Sequence, residues 1–518
     1  MVEEFSSIYI YHLKGNQRTS GERSRREGGK IFGEGSRAPI AIVFLVKNPE
    51  SNGKGRIFYH EVDDYLTRDE KLSEIQNFGS IANMEWSEII PDKHGDWLNQ
   101  RDDSYANFLP MGSKGSKEKS IFKTLAVGVC TNRDAWVYNS SKNKLTENVK
   151  KTLTAYNNAV EQIKNEIPEE KAIKSVLQEV AWTAGLKEQL KKLNNIEFNA
   201  NKIVEGTYRP FTIQNLYYDN NKSLIERPSI WNKLYPTKNS NNLTITVTGI
   251  GAKEFSCLME NKIVDLQTVF NGQNYPRYLY EKASDSADLF SNVEKEVSYK
   301  KVDAITCDAL EHFRKAYPNY SSMIDCDTIF YYIYGILHSK DYRVKYANNL
   351  GKELPRIPRV ASYEQFMAFS EAGKKLANLH VNYESQPEYK GVTITGEEIG
   401  NYHVEQMKWA KIPGKTGNAA KDKSKLIYNQ YISIANIPLE AQEYIVNKKS
   451  ALDWIVERAC YSVDKKTGIV NDFNQYGIEQ NNQRYPLSLF LRVITVSVET
   501  MKIVNSLPSL EIHPLDRE

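Results

Sequence analysis

Gly249 and Gly251 follow the strand-like run LTITVTG, a placement that would suit a dinucleotide phosphate if a third glycine came three residues on. Glu254 stands there instead, so a tight turn accounts for the pair. The chain has no GxxxxGK[ST] loop, no His-Glu-x-x-His spacing among its eight histidines and no Gly-x-Ser-x-Gly elbow. Its five cysteines (Cys130, Cys257, Cys307, Cys326 and Cys460) are scattered and never form a CxxC pair. That argues against a disulfide scaffold and a structural zinc site. No complete active site can be assembled from these residues. The suggestive feature is positive charge. Between Lys14 and Arg37 lie seven bases (Lys14, Arg18, Arg23, Arg25, Arg26, Lys30 and Arg37) against three acids (Glu22, Glu27 and Glu34), in a segment rich in Gly and Ser. The ordinary reading of such a run is a solvated surface loop, and the chemical one is an anion contact.

The whole chain does not share this bias. It has 68 basic and 65 acidic residues, a net charge of +3, too near neutral to announce a nucleic-acid binder. Hydrophobic residues make up 40% and charged residues 26%, the balance of a globular protein. At ~100–200 residues per domain, the length suggests about three folding units. No stretch approaches the ~18–20 apolar residues of a membrane-spanning helix. The first residues hold acids where a secretory signal would hold bases, so a cytoplasmic location is expected.

The elements around the basic loop read as strand, loop, strand. Ser7 to Leu13 is β-branched and aromatic, and Ile40 to Val46 is a near-continuous apolar run that suits a strand covered on both faces. Arg56 to Val62 could pair back as a hairpin strand. Thr67 and Glu70 have the spacing of a capping box, with Leu72, Ile75 and Phe78 facing inward. From Pro110 the texture changes. Ile121 to Cys130 and Ala135 to Tyr138 read as strands, while Val149 to Ile167 and Ala172 to Leu193 read as amphipathic helices. From Asp303 the pattern is mainly helical, with Asp327 and Ser450 as cap candidates. The tyrosines Tyr331, Tyr332, Tyr334, Tyr342 and Tyr346 either finish a core or stack bases.

The run IYIYHLKGNQRTSGERSRREGGKIFGEGSRAPIAIVFLVKNP (Ile8 to Pro49) resembles the end of the adenine-specific methyltransferase domain of Type ISP restriction–modification enzymes. The resemblance continues through GVCTNRDAWVYN, YRPFTIQNLYYD, FYYIYGILHSKDYRVKYANNLGKELPRIP, FSEAGKKLANLHVNYE, IPLEAQEYIVNKKSALDWIVER and VITVSVETMKIVNSLP. It implies an α/β part, 1–109, completing a methyltransferase-like sheet. A target-recognition domain follows, α+β over 110–302 and mainly α over 303–518. The implied partner is double-stranded DNA, and the implied activity is N6-adenine methylation and restriction by an intact enzyme with S-adenosylmethionine as cofactor. The family's cofactor loop and Asn-Pro-Pro-Tyr motif are not in this sequence. The resemblance therefore implies a C-terminal piece of a larger enzyme, lacking upstream methyltransferase, translocase and nuclease parts, that binds the cofactor poorly and transfers no methyl group by itself. On this reading the loop bases Lys14 to Arg37 contact DNA and Phe32 either stacks on an extruded base or anchors the loop. Base readers are sought in 220–242, 260–277 and 471–484, with Arg227, Gln273, Arg277 and Arg484 as candidates, or on the helical surface from Tyr331 to Arg343. Two other readings stand beside it: a specificity subunit acting in trans with separate catalytic chains, and an unrelated enzyme with an unrecognised site.

Overall fold

The computed structural model describes residues 1–17, 21–33, 36–51, 53–112, 119–220, 223–252, 254–283, 298–415 and 420–517, with backbone alone at 21–23. Arg18 lies outside the described residues, as does the side chain of Arg23. The chain forms two compact units, one built on Met1–Arg101 and one on Asp102–Lys415 with Ala419–Glu518.

In the first unit the elements are β1 (Ser7–His12), α1 (Gly21–Glu27), β2 (Ala41–Val46), β3 (Arg56–Glu61), α2 (Arg68–Phe78) and β4 (Ser87–Ile89), and the sheet runs β2-β1-β3-β4. Two expectations fail here. β3 does not pair back on β2; it lies parallel on the far side of β1, where Tyr9 faces Phe58 with ring centroids 4.8 Å apart. Such aromatic cross-strand pairs favour that register. Nor is β2 covered on both faces. It is an edge strand, with Val43, Phe44, Leu45 and Val46 between 41% and 47% exposed. The Thr67–Glu70 capping box is present as expected. Ile75 and Phe78 pack on the small core of Tyr11, Leu13, Ile31 and Val62, but Leu72 is exposed and Lys71 is buried in its place. The Lys71 ammonium donates to the carbonyls of Glu27 and Gly29 at 2.7 and 2.8 Å, which ties the basic loop to α2. Burial lowers its pKa.

The second unit begins with β5 (Ala126–Val127), α3 (Asp134–Val137), β6 (Tyr138–Asn139) and α4 (Lys142–Lys164). The stretch expected as a strand at Ala135–Tyr138 is thus one helical turn followed by a short strand; Thr131 pairs with Asp134 at the turn's start. The expected helix over Ala172–Leu193 is two pieces, α5 (Glu169–Ser175) and α6 (Ala184–Lys191), because Thr183 caps a new start. Next come β7 (Ile203–Thr207), β8 (Ile213–Tyr217), β9 (Thr244–Val247), β10 (Cys257–Glu260), β11 (Ile263–Val264) and β12 (Gln273–Pro276). They build two sheets, ordered β11-β7-β8-β6 and β10-β9-β12-β5. The antiparallel pair β13 (Tyr278–Lys282) and β14 (Tyr299–Asp303) leads to helices α7 (Cys307–Ala316), α8 (Cys326–His338) and α9 (Tyr363–Val381).

The part expected to be mainly helical then contains a four-stranded sheet of β15 (Thr393–Thr395), β16 (Lys408–Lys411), β17 (Lys421–Ile427) and β18 (Ser433–Ala435), ordered β15-β18-β17-β16. The chain closes through α10 (Ala451–Arg458), the hairpin β19 (Tyr461–Val463) and β20 (Val470–Asp472), and α11 (Tyr485–Asn505). Helices α8 and α9 meet through glycines: a Cβ at Gly335 would lie 2.1 Å from the Phe369 carbonyl oxygen, and one at Gly373 1.9 Å from that of Tyr331. One core joins Ile245 and Tyr275 of the sheet to Phe313, Phe330 and Ile333 of the helices. Ser450 caps α10 as expected, but the cap of α8 is Asp325, which exchanges bonds with Thr328, rather than Asp327.

Candidate nucleic-acid interface

The loop between β1 and β2 is held from within and presents part of its charge outward. Lys14 is bound to Asp64 at 2.7 Å, and this pairing holds the Asp64 carboxyl below its usual range. The Arg37 guanidinium donates to the Gln17 carbonyl at 3.0 Å, and Lys30 is half-buried. Arg25 and Arg26 stand exposed in the last turn of α1, Arg26 within 3.9 Å of Asp64. Phe32 is 59% exposed, so it does not anchor the loop. The glycine pair beside it is filled by protein: Cβ atoms at Gly28 and Gly29 would fall 2.1 Å from the Leu66 carbonyl oxygen and 2.3 Å from the Arg68 nitrogen.

Of the four candidate base readers, three are turned inward. Gln273 is buried on β12, where its side-chain nitrogen donates to the Asn271 carbonyl at 2.7 Å. Arg277 is 6% exposed; it binds Asp327 at 2.5 Å, pairs with Asp303 and stacks over Tyr278. Arg484 is half-buried between Glu388 and Glu397, each at 2.6 Å. Desolvation opposes the charge of Arg277 and Arg484, but their carboxylate partners raise both pKa values. These arginines are held in ion pairs by two carboxylates each, and a charge so committed is not available to a base edge. Arg227 differs, with an exposed side chain on a backbone bridge to Cys130. On the helical stretch, Tyr332, Tyr334, Tyr342 and Tyr346 finish the core: they are fully buried, with hydroxyls spent inside, as in the 2.7 Å bond from Tyr332 to the Pro358 carbonyl. Tyr331 and Arg343 are half-buried there, and Lys340 is exposed.

The sequence reading passed over a hairpin. Strands β16 and β17 and the connection between them carry six lysines between Lys408 and Lys425, interrupted by a single acid, Asp422. The lysines fall in two short groups separated along the sequence rather than in one run of bases, which hid the cluster; mapping lysines onto paired strands would have found it. Among the described residues no cluster of His, Cys, Asp and Glu could hold a metal ion, and no helix is long and apolar enough to cross a membrane.

The family model of the Type ISP C-terminal specificity domain matches residues 120–489, well over half of the chain. The chain belongs to the Type ISP family. Solved structures agree. A nuclease-deletion mutant of the Type ISP restriction–modification enzyme LlaGI, in complex with a DNA substrate mimic, is 36% identical at a TM-score of 0.82 over 98% of this chain. The ATP-dependent Type ISP enzyme LlaBIII, bound to DNA, is 32% identical at 0.83 over 99%, and DrdV in its DNA complex 29% identical at 0.79 over 98%. This Type ISP chain spans 37%, 31% and 48% of those three chains. No curated protein sequence matches it.

Proposed function

We infer that this chain recognises an asymmetric target in double-stranded DNA and directs N6-adenine methylation and restriction by the Type ISP enzyme of which it forms the C-terminal part. The supporting observation is its likeness, over nearly its full length and at TM-scores near 0.8, to enzymes solved on DNA. The first unit belongs to the methyltransferase sheet. Its edge strand β2 keeps open hydrogen-bonding groups and two half-exposed apolar faces, the condition of a strand that takes another neighbour. S-adenosylmethionine is bound by other parts of that enzyme. The described residues of the first unit do not fit it, since Gly28 and Gly29 are packed by backbone and the sequence carries no Asn-Pro-Pro-Tyr run. No methyl-transfer step is therefore assigned to residues of this chain. Specificity resides in the second unit, with exposed Arg227 and the exposed turn Asn481–Gln483 as its base-reading candidates.

Exchanging the segment from Asp102 onward for that of a relative with another target, inside an intact enzyme, should transfer the methylation target read by sequencing. Retention of the original target would place recognition elsewhere.

A further inference from the structure

We propose that the hairpin β16–β17 is a phosphate clamp that grips the backbone of duplex DNA without reading its sequence; this rests on the duplex-recognition reading above. Lys408, Lys411, Lys415, Lys421 and Lys425 are all exposed, and none makes an ion pair among the described residues. The sixth lysine, Lys423, serves the base of the hairpin. It pairs with Asp453 and lies 4.6 Å over the Trp409 ring, while the Trp409 indole donates to Asp453 at 2.8 Å. Trp409 in turn packs near Phe490 of α11, so the lysines stand on a fixed support.

The register sharpens the point. An irregularity between Trp409 and Ala410 resets the pairing so that Lys411 sits directly opposite Lys421. Like charges in that position repel and weaken a sheet unless an anion lies between them. Asp422 does not fill that role, because its carboxylate accepts from the Ser424 amide and hydroxyl at 3.0 and 2.6 Å. Edge protection, the usual reason for strand lysines, covers Lys408 and Lys411 on the outer strand β16. It does not explain a lysine placed directly across the β16–β17 ladder from Lys411, nor the further base Lys425 on β17, whose pairing with β18 is confined to Leu426 and Ile427. A polyanion with closely spaced charges satisfies all of them, and the DNA backbone is the polyanion this family's solved members hold.

The test replaces Lys408, Lys411, Lys421 and Lys425 with Gln in the full chain and follows binding to labelled duplexes of unrelated sequence over a salt series. Log affinity against log salt should become shallower by about 0.9 per lost contact, up to about 3.6, equally on every duplex. A control with Gln at Lys171, Lys174, Lys187 and Lys191, exposed on α5 and α6, should keep the wild-type slope. Neither variant should melt below the wild type, since the replaced side chains are exposed and the hairpin variant loses the Lys411–Lys421 repulsion. An unchanged slope in the hairpin variant, or an equal change in the control, overturns the clamp. If polyglutamate competes only with wild type while the DNA slope is unchanged, the hairpin meets an acidic protein surface and the clamp is again overturned. A wild-type chain that binds no duplex at all overturns duplex recognition itself.

Discussion

Arg277 and Arg359 sit inside the second unit on carboxylate partners, Asp303 and Asp327 for the one and Asp516 for the other, whereas Lys408, Lys411, Lys415, Lys421 and Lys425 of its hairpin stand exposed with none among the described residues. Arg359 is the extreme case. Its backbone amide and guanidinium both bind Asp516, at 2.6 and 2.9 Å, and Asp516 is 1% exposed. The geometry of the two side chains explains the division. A planar guanidinium can satisfy several acceptors in a desolvated site, while an ammonium on a flexible stem is hydrated strongly and kept outside. Positive charge in this chain therefore does two jobs, and the residue type is a better guide to which than the local sequence. Arg25, Arg26, Arg37, Arg56, Arg68 and Arg227 are among the arginines that remain at the surface.

The comparison breaks most visibly at Arg359. Arg359→Ala leaves Asp516 charged and buried, and should cost about 3–5 kcal/mol in urea unfolding. A loss within the range of a surface substitution would mean that the pair is not desolvated. Glu260 sharpens the same contrast from the acidic side. It is buried on β10, with the Thr207 hydroxyl donating to it at 2.6 Å, and burial raises its pKa from 4.5 to about 7. Between those values the folded chain holds a proton that the unfolded chain has released. Stability contributed by this group is thus present below about pH 4.5 and lost as pH rises through about 7. Glu260→Gln should remove that slope and leave the variant more stable than wild type above pH 7, by up to about 3 kcal/mol. Parallel stability–pH curves for the two proteins would show that Glu260 titrates normally. The smallest effect belongs to the exposed arginines of α1. Arg25→Ala with Arg26→Ala should leave the melting temperature unchanged and flatten the salt dependence of duplex binding by about 0.9 per contact. A fall in melting temperature instead would place these two with the buried arginines.

The sequence was most legible where local chemistry decides structure. The Thr67–Glu70 box and the Ser450 cap both appear as read, because caps depend on neighbours within a few residues. Strand pairing was less so. Nothing local to Arg56–Val62 distinguishes a partner at β2 from one at β1, and the Tyr9–Phe58 contact that decides it joins residues far apart in the chain. The apolar run of β2 has the same composition whether it is central or, as here, at an edge.

For the interface, the sequence by itself determined the family, the concentration of bases between Lys14 and Arg37, and the candidate nature of every Arg and Gln named in the recognition segments. Only the tertiary structure decided which of those side chains were free. A guanidinium's availability depends on carboxylates brought to it by folding, such as Asp327 from α8 and Glu388 from beyond α9, and these lie 50 and 96 residues from Arg277 and Arg484. The lysines of β16 and β17 became one surface only when two strands were paired across a shifted register, since charge adds up by distance in space rather than by position in the chain.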